Sequence, residues 1–287
     1  MARWNIWRAL DVAALLRERW PERWARLSGR LGLNDTELKQ WLNVAETLAT
    51  GLEPGAGLFE QFVGFFALEE IDLAYYAGRS VPMDVVLGRE RTQRAQVIKQ
   101  ADVVALLGLL PEEFVRETGA ENFRYYEPRC GHGSSLSRAM HGLVAARLGY
   151  SEMALRYFRQ TAAIDLADTH VAIAGGVHIT ALGGIWLTAV FGFAGLSLHS
   201  DGIAIDPQLP ADWRSLGFRV QWRGRRLKIR IEQPKYLIEA TLEAGEPMTL
   251  VVLSERHELR RDQALRVFAE MSHGSKAYQP LSTHPAG

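Results

Sequence analysis

The hydrophobic period of this chain changes once, at Gly195, and that change limits the folds open to it. Before Gly195 apolar residues recur at helical spacing; after it they alternate in short runs. Trp4, Ile6, Trp7, Leu10, Val12, Ala13, Leu15 and Leu16 mark a first helix, which Pro21 breaks or kinks. Asn34 or Asp35 caps a second, with Leu38, Trp41, Leu42, Ala45 and Leu48 on one face. The turn from Gly51 to Gly57 stops it. Residues 58–88 read as a long connection rich in aromatics, a length that is usually functional. Further helices are predicted over 89–109, 111–118, 134–148, 151–166 and 177–194, with short glycine-marked connections. Helix pairs of this kind point to an α/α toroid whose loops gather at one end. Beyond Gly195, Phe218 to Trp222 and Leu227 to Ile231 flank Arg223-Gly224 as a hairpin would. The predicted class is therefore mainly α with a small β domain. The expected domains are 1–195, helical; 196–253, a β-sandwich; and 254–287, a short helix over Gln263 to Met271 and then a disordered tail.

Charge narrows the partners. Lys plus Arg equals Asp plus Glu at 33 each, so no global field attracts nucleic acid or an anionic membrane. Residues 177–198 are long and mostly apolar, but His178, glycines and hydroxyl residues interrupt them, and a buried helix explains them better than a span. Arg3, Arg8, Arg17 and Arg19 leave no signal-peptide core. The one cysteine, Cys130, excludes an internal disulfide and fits a reducing compartment, so a cytoplasmic protein is expected. Cys130 reads as a small residue packed behind a glycine loop rather than a reactive thiol.

Chemistry concentrates in residues 125–137, Tyr-Tyr-Glu-Pro-Arg-Cys-Gly-His-Gly-Ser-Ser-Leu-Ser. Gly131 and Gly133 free the backbone to turn, and Ser134 and Ser135 stand where a helix begins, a ready place for an anion. Arg129 and His132 lie near enough to add positive donors. Gly175-Gly176-Val177-His178 repeats the pattern before another helix. Lys99 and Gln100 fall inside an apolar stretch, Val97-Ile98 before and Ala101-Asp102-Val103-Val104 after; a buried Lys needs a partner, and Asp102 is the candidate. Among carboxylates, Glu69, Glu70 and Asp72 read as helix-end or solvated groups, and Glu127 as a brace for Arg129.

The words Tyr-Glu-Pro-Arg-x-x-His-x-Ser-Ser-Leu-Ser, Lys99-Gln100-Ala101-Asp102, Gly176-Val177-His178-Ile179 and Asp206-Pro207-Gln208-Leu209-Pro210 occur in this order. Together they resemble glycoside hydrolase family 65, which holds maltose, trehalose, kojibiose and nigerose phosphorylases with some hydrolases. The resemblance runs from about residue 3 to about 253. It implies a partial (α/α)6 toroid followed by a C-terminal β-sandwich. It also implies an inverting reaction of an α-linked glucose disaccharide with inorganic phosphate, giving β-glucose 1-phosphate and a free sugar. On that reading Ser134, Ser135 and His178 cradle phosphate, His132 and Arg129 lie nearby, and Lys99 and Gln100 hold glucose hydroxyls. No cofactor or metal is expected, and family members commonly pair as homodimers.

The general acid of the family is a Glu in a Gly-Pro-Asp-Glu-Tyr-His word, which lies ahead of the helix that Ala2-Arg3-Trp4-Asn5 resembles. This chain begins at that helix, so it reads as the C-terminal portion of a longer enzyme, without turnover of its own and with an apolar edge left by the unclosed barrel. Gly133 stands where many phosphorylases carry an acidic residue. A hydrolase using water, or a non-catalytic fragment, are the other readings.

Overall fold

The computed structural model describes residues 1–51, 57–79, 81–166, 176–235, 237–268 and 278–280. The expected disordered tail falls largely outside these, as do Pro54 and Gly175. Two compact units form, Met1–Val63 and Gly64–Gly287.

The first unit holds α1 (Ala2–Arg19), α2 (Pro21–Leu31) and α3 (Asp35–Thr47). Pro21 sits in the first turn of α2, where its missing N–H costs nothing, so it breaks the predicted long helix at Trp20. Asn34 caps α3 by accepting the Glu37 N–H at 2.9 Å. Leu38 and Ala45 are the buried positions of α3.

The second unit begins with two single-turn helices, Phe65–Ala67 and Leu73–Tyr76. Then come α4 (Met83–Gln93), α5 (Asp102–Leu109), α6 (Arg116–Tyr126), α7 (Ser137–Leu148), α8 (Ser151–Ala163) and α9 (Ile179–Leu187), the last running on as a π-helix, Thr188–Phe193. The single helix expected over 89–109 is instead two helices joined by an extended strap. Gln96 N–H bonds to Glu69 C=O at 2.7 Å and Ile98 N–H to Arg129 C=O at 2.9 Å, while Ile98 C=O accepts from Gly131 N–H at 2.8 Å. Backbone partners on both sides draw 95–98 out of helix, and Ala95, Gln96 and Ile98 are buried there.

Helix α7 is the axis of this unit, buried at ten of its positions. It packs on α5, α8 and the α9–π segment. The last contact is close. A Cβ on Gly184 would stand 2.3 Å from Ala139 Cβ. Gly184→Val is therefore expected to lower stability by about 2 kcal/mol through overpacking, read as a shift of the urea midpoint at constant slope; an unshifted midpoint would show that the helices separate freely. On the opposite face of α9, Ile179, Leu182 and Trp186 are 77%, 49% and 46% exposed, an apolar stripe along the helix. Among the described residues no helix is long and apolar enough to cross a membrane.

Strands follow at Gly195. One sheet has the order β1 (Leu196–Leu198), β2 (Gly202–Ile205), β6 (Met248–Val252), β7 (Glu255–Leu259); the other has β3 (Ser215–Trp222), β4 (Arg225–Glu232), β5 (Leu237–Ala244), β8 (Leu265–Phe268). The Arg223-Gly224 turn has both residues at positive φ, 47° and 76°, as a two-residue hairpin loop requires. Leu227, Ile229 and Ile231 of β4 alternate inward with Ile238, Ala240 and Leu242 of β5, against Ile203, Ile205, Leu250 and Val252 of the other sheet. Trp213 joins sandwich to helices, its ring 5.3 Å from Phe158 and 5.0 Å from Phe193.

The sandwich extends past the expected limit of 253, to Phe268. The helix predicted from Gln263 is replaced through Phe268 by β8, which pairs with Leu237–Ala240; residues 269–271 lie outside the described set. The edge of β5 offers backbone groups that a helix would leave unpaired, and Arg266 meets Glu239 across it at 2.7 Å.

Candidate active site

Four pieces of the second unit meet beside the N-terminus of α7. The strap carries Lys99 and Gln100 to its end, and the Ile98–Cys130 bridge sets them alongside the Gly131–Gly133 loop. Neither is buried within a helix, as the sequence suggested; both are exposed. The partner of Lys99 is Asp84 on α4, Nζ to Oδ2 3.1 Å, rather than Asp102. That hydrogen bond holds the Asp84 carboxyl below its usual range. Burial alone raises the Asp102 carboxyl.

The loop itself turns differently from expectation. Its left-handed residue is His132, φ 49°, a conformation that non-glycine residues seldom adopt. The flanking glycines serve close approach. A Cβ at 131 would meet Met83 Cβ at 3.1 Å, and one at 133 would meet Lys99 Cγ at 2.8 Å. The Lys99 stem thus occupies the space that an acidic side chain at 133 would need.

Helix α7 starts at Ser137, later than predicted. Ser134 and Ser135 form the turn before it. Ser134 C=O accepts from Ser137 N–H at 3.2 Å and from Ser137 Oγ at 2.8 Å. Ser135 Oγ lies 3.4 Å from Thr180 Oγ1 in the first turn of α9. Two helix N-termini therefore stand side by side, each presenting the positive end of its dipole. His178 precedes α9, and Asp165, which follows α8, holds it in two ways: backbone N–H to Oδ2 at 3.0 Å, and Nδ1 to Oδ1 at 2.7 Å. A carboxylate only accepts, so Nδ1 carries the proton and Nε2 is the nitrogen turned away from Asp165. The same bond keeps the Asp165 carboxyl low.

Arg129 and His132 are turned inward. The Arg129 guanidinium donates to Gln96 Oε1 at 3.1 Å, to Tyr125 C=O at 2.8 Å and to Glu70 Oε1 at 2.8 Å, and lies 3.9 Å over the Tyr125 ring. Glu70, for which the sequence suggests a helix-end or solvated group, is thus the carboxylate on Arg129. Glu127, expected in that place, accepts from Tyr157 at 2.6 Å and from Tyr278 at 2.7 Å. Gln96, 2% exposed, is the hub that sequence reasoning missed: its amide N donates to Phe66 and Leu68 carbonyls while its oxygen accepts from Tyr125 and Arg129. A polar residue inside an apolar run was the available signal.

His132 supplies no positive charge. Burial first, then His141, Arg138, Arg79 and Arg156, push its proton affinity down to about 2. Those arginines make the loop electropositive without it. Arg79 also donates to Gly131 C=O at 2.7 Å, and Arg138 lies in the first turn of α7. Cys130 behaves as the packed residue that was expected, its thiol pushed up to about 12 by burial.

A family model described as the glycosyl hydrolase family 65 central catalytic domain matches residues 1–187, and one for the C-terminal domain of that family matches 196–259. A kojibiose phosphorylase of Caldanaerobacter subterraneus subsp. tengcongensis is 32% identical over 244 residues, 83% of this chain and 31% of that protein. A 1,2-alpha-glucosylglycerol phosphorylase of Bacillus selenitireducens is 35% identical over 238 residues, 80% and 31% respectively. An alpha,alpha-trehalose phosphorylase of Thermoanaerobacter brockii is 28% identical over 263 residues, 92% and 34%. The chain thus spans about a third of the length of these relatives. A solved structure from the human microbiome, named for kojibiose phosphorylase, shares the fold at TM-score 0.77 with 24% identity, covering 86% of this chain and 36% of that one.

Proposed function

Because the chain belongs to glycosyl hydrolase family 65, we propose that it forms the phosphate- and sugar-gripping portion of a cytoplasmic α-glucoside phosphorylase. Its relatives are named as disaccharide and glucosylglycerol phosphorylases. The observation that carries the reading is the approach of the serine turn to the start of α9, Ser135 Oγ to Thr180 Oγ1 at 3.4 Å, in an electropositive setting.

Phosphate is already a nucleophile, so a phosphorylase needs to position it and to offset its repulsion from nearby carboxylates. Hydroxyls of Ser134 and Ser135 and amides at the two helix starts are donors of the right kind, while His178 Nε2, its Nδ1 proton held by Asp165, can accept from a phosphate O–H. Asp165 fixes the tautomer and direction of His178, and Arg138 adds charge. Lys99 and Gln100, carried to the same loop, are suited to sugar hydroxyls, with Asp84 steering the ammonium. A carboxylic acid must still protonate the leaving oxygen. Asp84, Asp165, Glu70 and Glu127 are each engaged elsewhere, and it is the resemblance to family 65 that assigns the acid to a Glu in a Gly-Pro-Asp-Glu-Tyr-His word, which this sequence does not hold.

Two assays test this. The chain alone should form no β-glucose 1-phosphate from α-linked glucose disaccharides and phosphate; formation would overturn the division of labour. Completed by an acid-bearing portion, it should turn over only when phosphate is present. Equal rates in phosphate-free buffer would make water the nucleophile and the protein a hydrolase.

A further inference from the structure

Beneath the loop, Cys130, His132 and His141 each bring one ligand atom within 4.8 Å of the others. The hydrogen bonds fix which atoms these are. Tyr157 must donate to Glu127, which as a carboxylate only accepts, at 2.6 Å. Its oxygen is then the acceptor for His132 Nε2–H at 3.3 Å. That leaves Nδ1 of His132 as a lone pair, and it lies 3.6 Å from Cys130 Sγ. Ser137 spends its one proton on Ser134 C=O at 2.8 Å, so it does not compete for that lone pair. His141 Nδ1 is 2.7 Å from Ser137 C=O and must carry a proton. Its Nε2 is then also a lone pair, fully buried and without a hydrogen-bond partner among the described residues.

We propose that Cys130 Sγ, His132 Nδ1 and His141 Nε2 form a binding site for a zinc-class divalent cation, locking the loop to α7. An S–H···N hydrogen bond would account for Cys130 and His132, but not for the orphaned nitrogen of His141. A cation accounts for all three. Tetrahedral zinc, with Zn–S near 2.3 Å and Zn–N near 2.05 Å, separates sulfur from nitrogen by roughly 3.5 Å, and Cys130 and His132 stand 3.6 Å apart. The three ligand atoms lie within 4.8 Å of one another, wider than the roughly 3.5 Å of a tetrahedral site, so binding draws them closer. Both imidazoles already have the outer partners that metal-bound histidines use, a backbone carbonyl for His141 and a tyrosine–carboxylate relay for His132. Ser137 Oγ, 3.1 Å from His132 Nδ1, or a water can take the fourth position. The Cys130 thiol loses its proton to solvent on binding, and the thiolate offsets half of the cation's charge.

Cobalt(II) is the probe, added to untagged protein. Cys130 is the chain's one cysteine, so a thiolate-to-cobalt charge-transfer band reports on this site alone. The expected result is one Co2+ per chain with that band, displaced by Zn2+, and at least tenfold weaker binding in His141→Gln. Cys130→Ser should lose the band. Absence of the band in the unaltered protein overturns the proposal, as does an undiminished affinity in a folded His141→Gln. Should that variant not fold, the intensity of the visible cobalt bands decides: intense bands support four-coordination, and weak octahedral bands overturn it.

Discussion

Replacing Ser134 and Ser135 together by Ala is expected to weaken phosphate binding by roughly a hundredfold, since two hydrogen bonds to a charged group contribute about 1.5 kcal/mol each. The variant removes two hydroxyls from half-exposed positions ahead of α7 and leaves its buried face intact. Stability should therefore change little. Calorimetric titration of phosphate, or the phosphate KM in a completed enzyme, makes the measurement. An unchanged value would remove the serine turn from the cradle and leave only the amides and His178.

Arg129→Met is expected to do the opposite, costing about 3 kcal/mol of stability. Arg129 is 6% exposed, and its guanidinium joins Gln96, the Tyr125 carbonyl and Glu70. Removing one partner of a buried charged network leaves polar groups without bonds, which is costly even when the pair itself is worth little. Chemical denaturation would show the loss as a lower midpoint. A stability near that of the unaltered chain, with phosphate affinity reduced instead, would return Arg129 to the ligand-binding set that the sequence proposed. The two variants thus separate the residues that face the ligand from those that hold the loop.

Local physics made much of the chain legible in advance. Pro21, Asn34 and the Arg223-Gly224 pair act through their own backbones or nearest neighbours, and each did what its chemistry predicts. Helical spacing up to Gly195 and alternation after it reflect which face of each element is buried. The words around Ser134 and His178 marked two helix starts, and the structure brings those starts together.

Where partners are distant in sequence, the residues alone misled. Lys99 was read as helical and buried, yet backbone bonds from residues 69 and 129–131 pull the strap straight and leave Lys99 at the surface on Asp84. Arg129 and His132 sit in the loop beside the serines, and their bonds to Glu70, Gln96 and Tyr157 turn them inward. The β5 edge converted a helical pattern at Leu265 into a strand. The sequence by itself determined the class of most segments, the Asn34 cap, the Arg223-Gly224 turn and the family, because these rest on local propensity and short motifs. Only the tertiary structure decided which way the polar side chains of the site point. Direction depends on which hydrogen-bond partner is nearest in space, and for Arg129 that partner, Glu70, is 59 residues away along the chain.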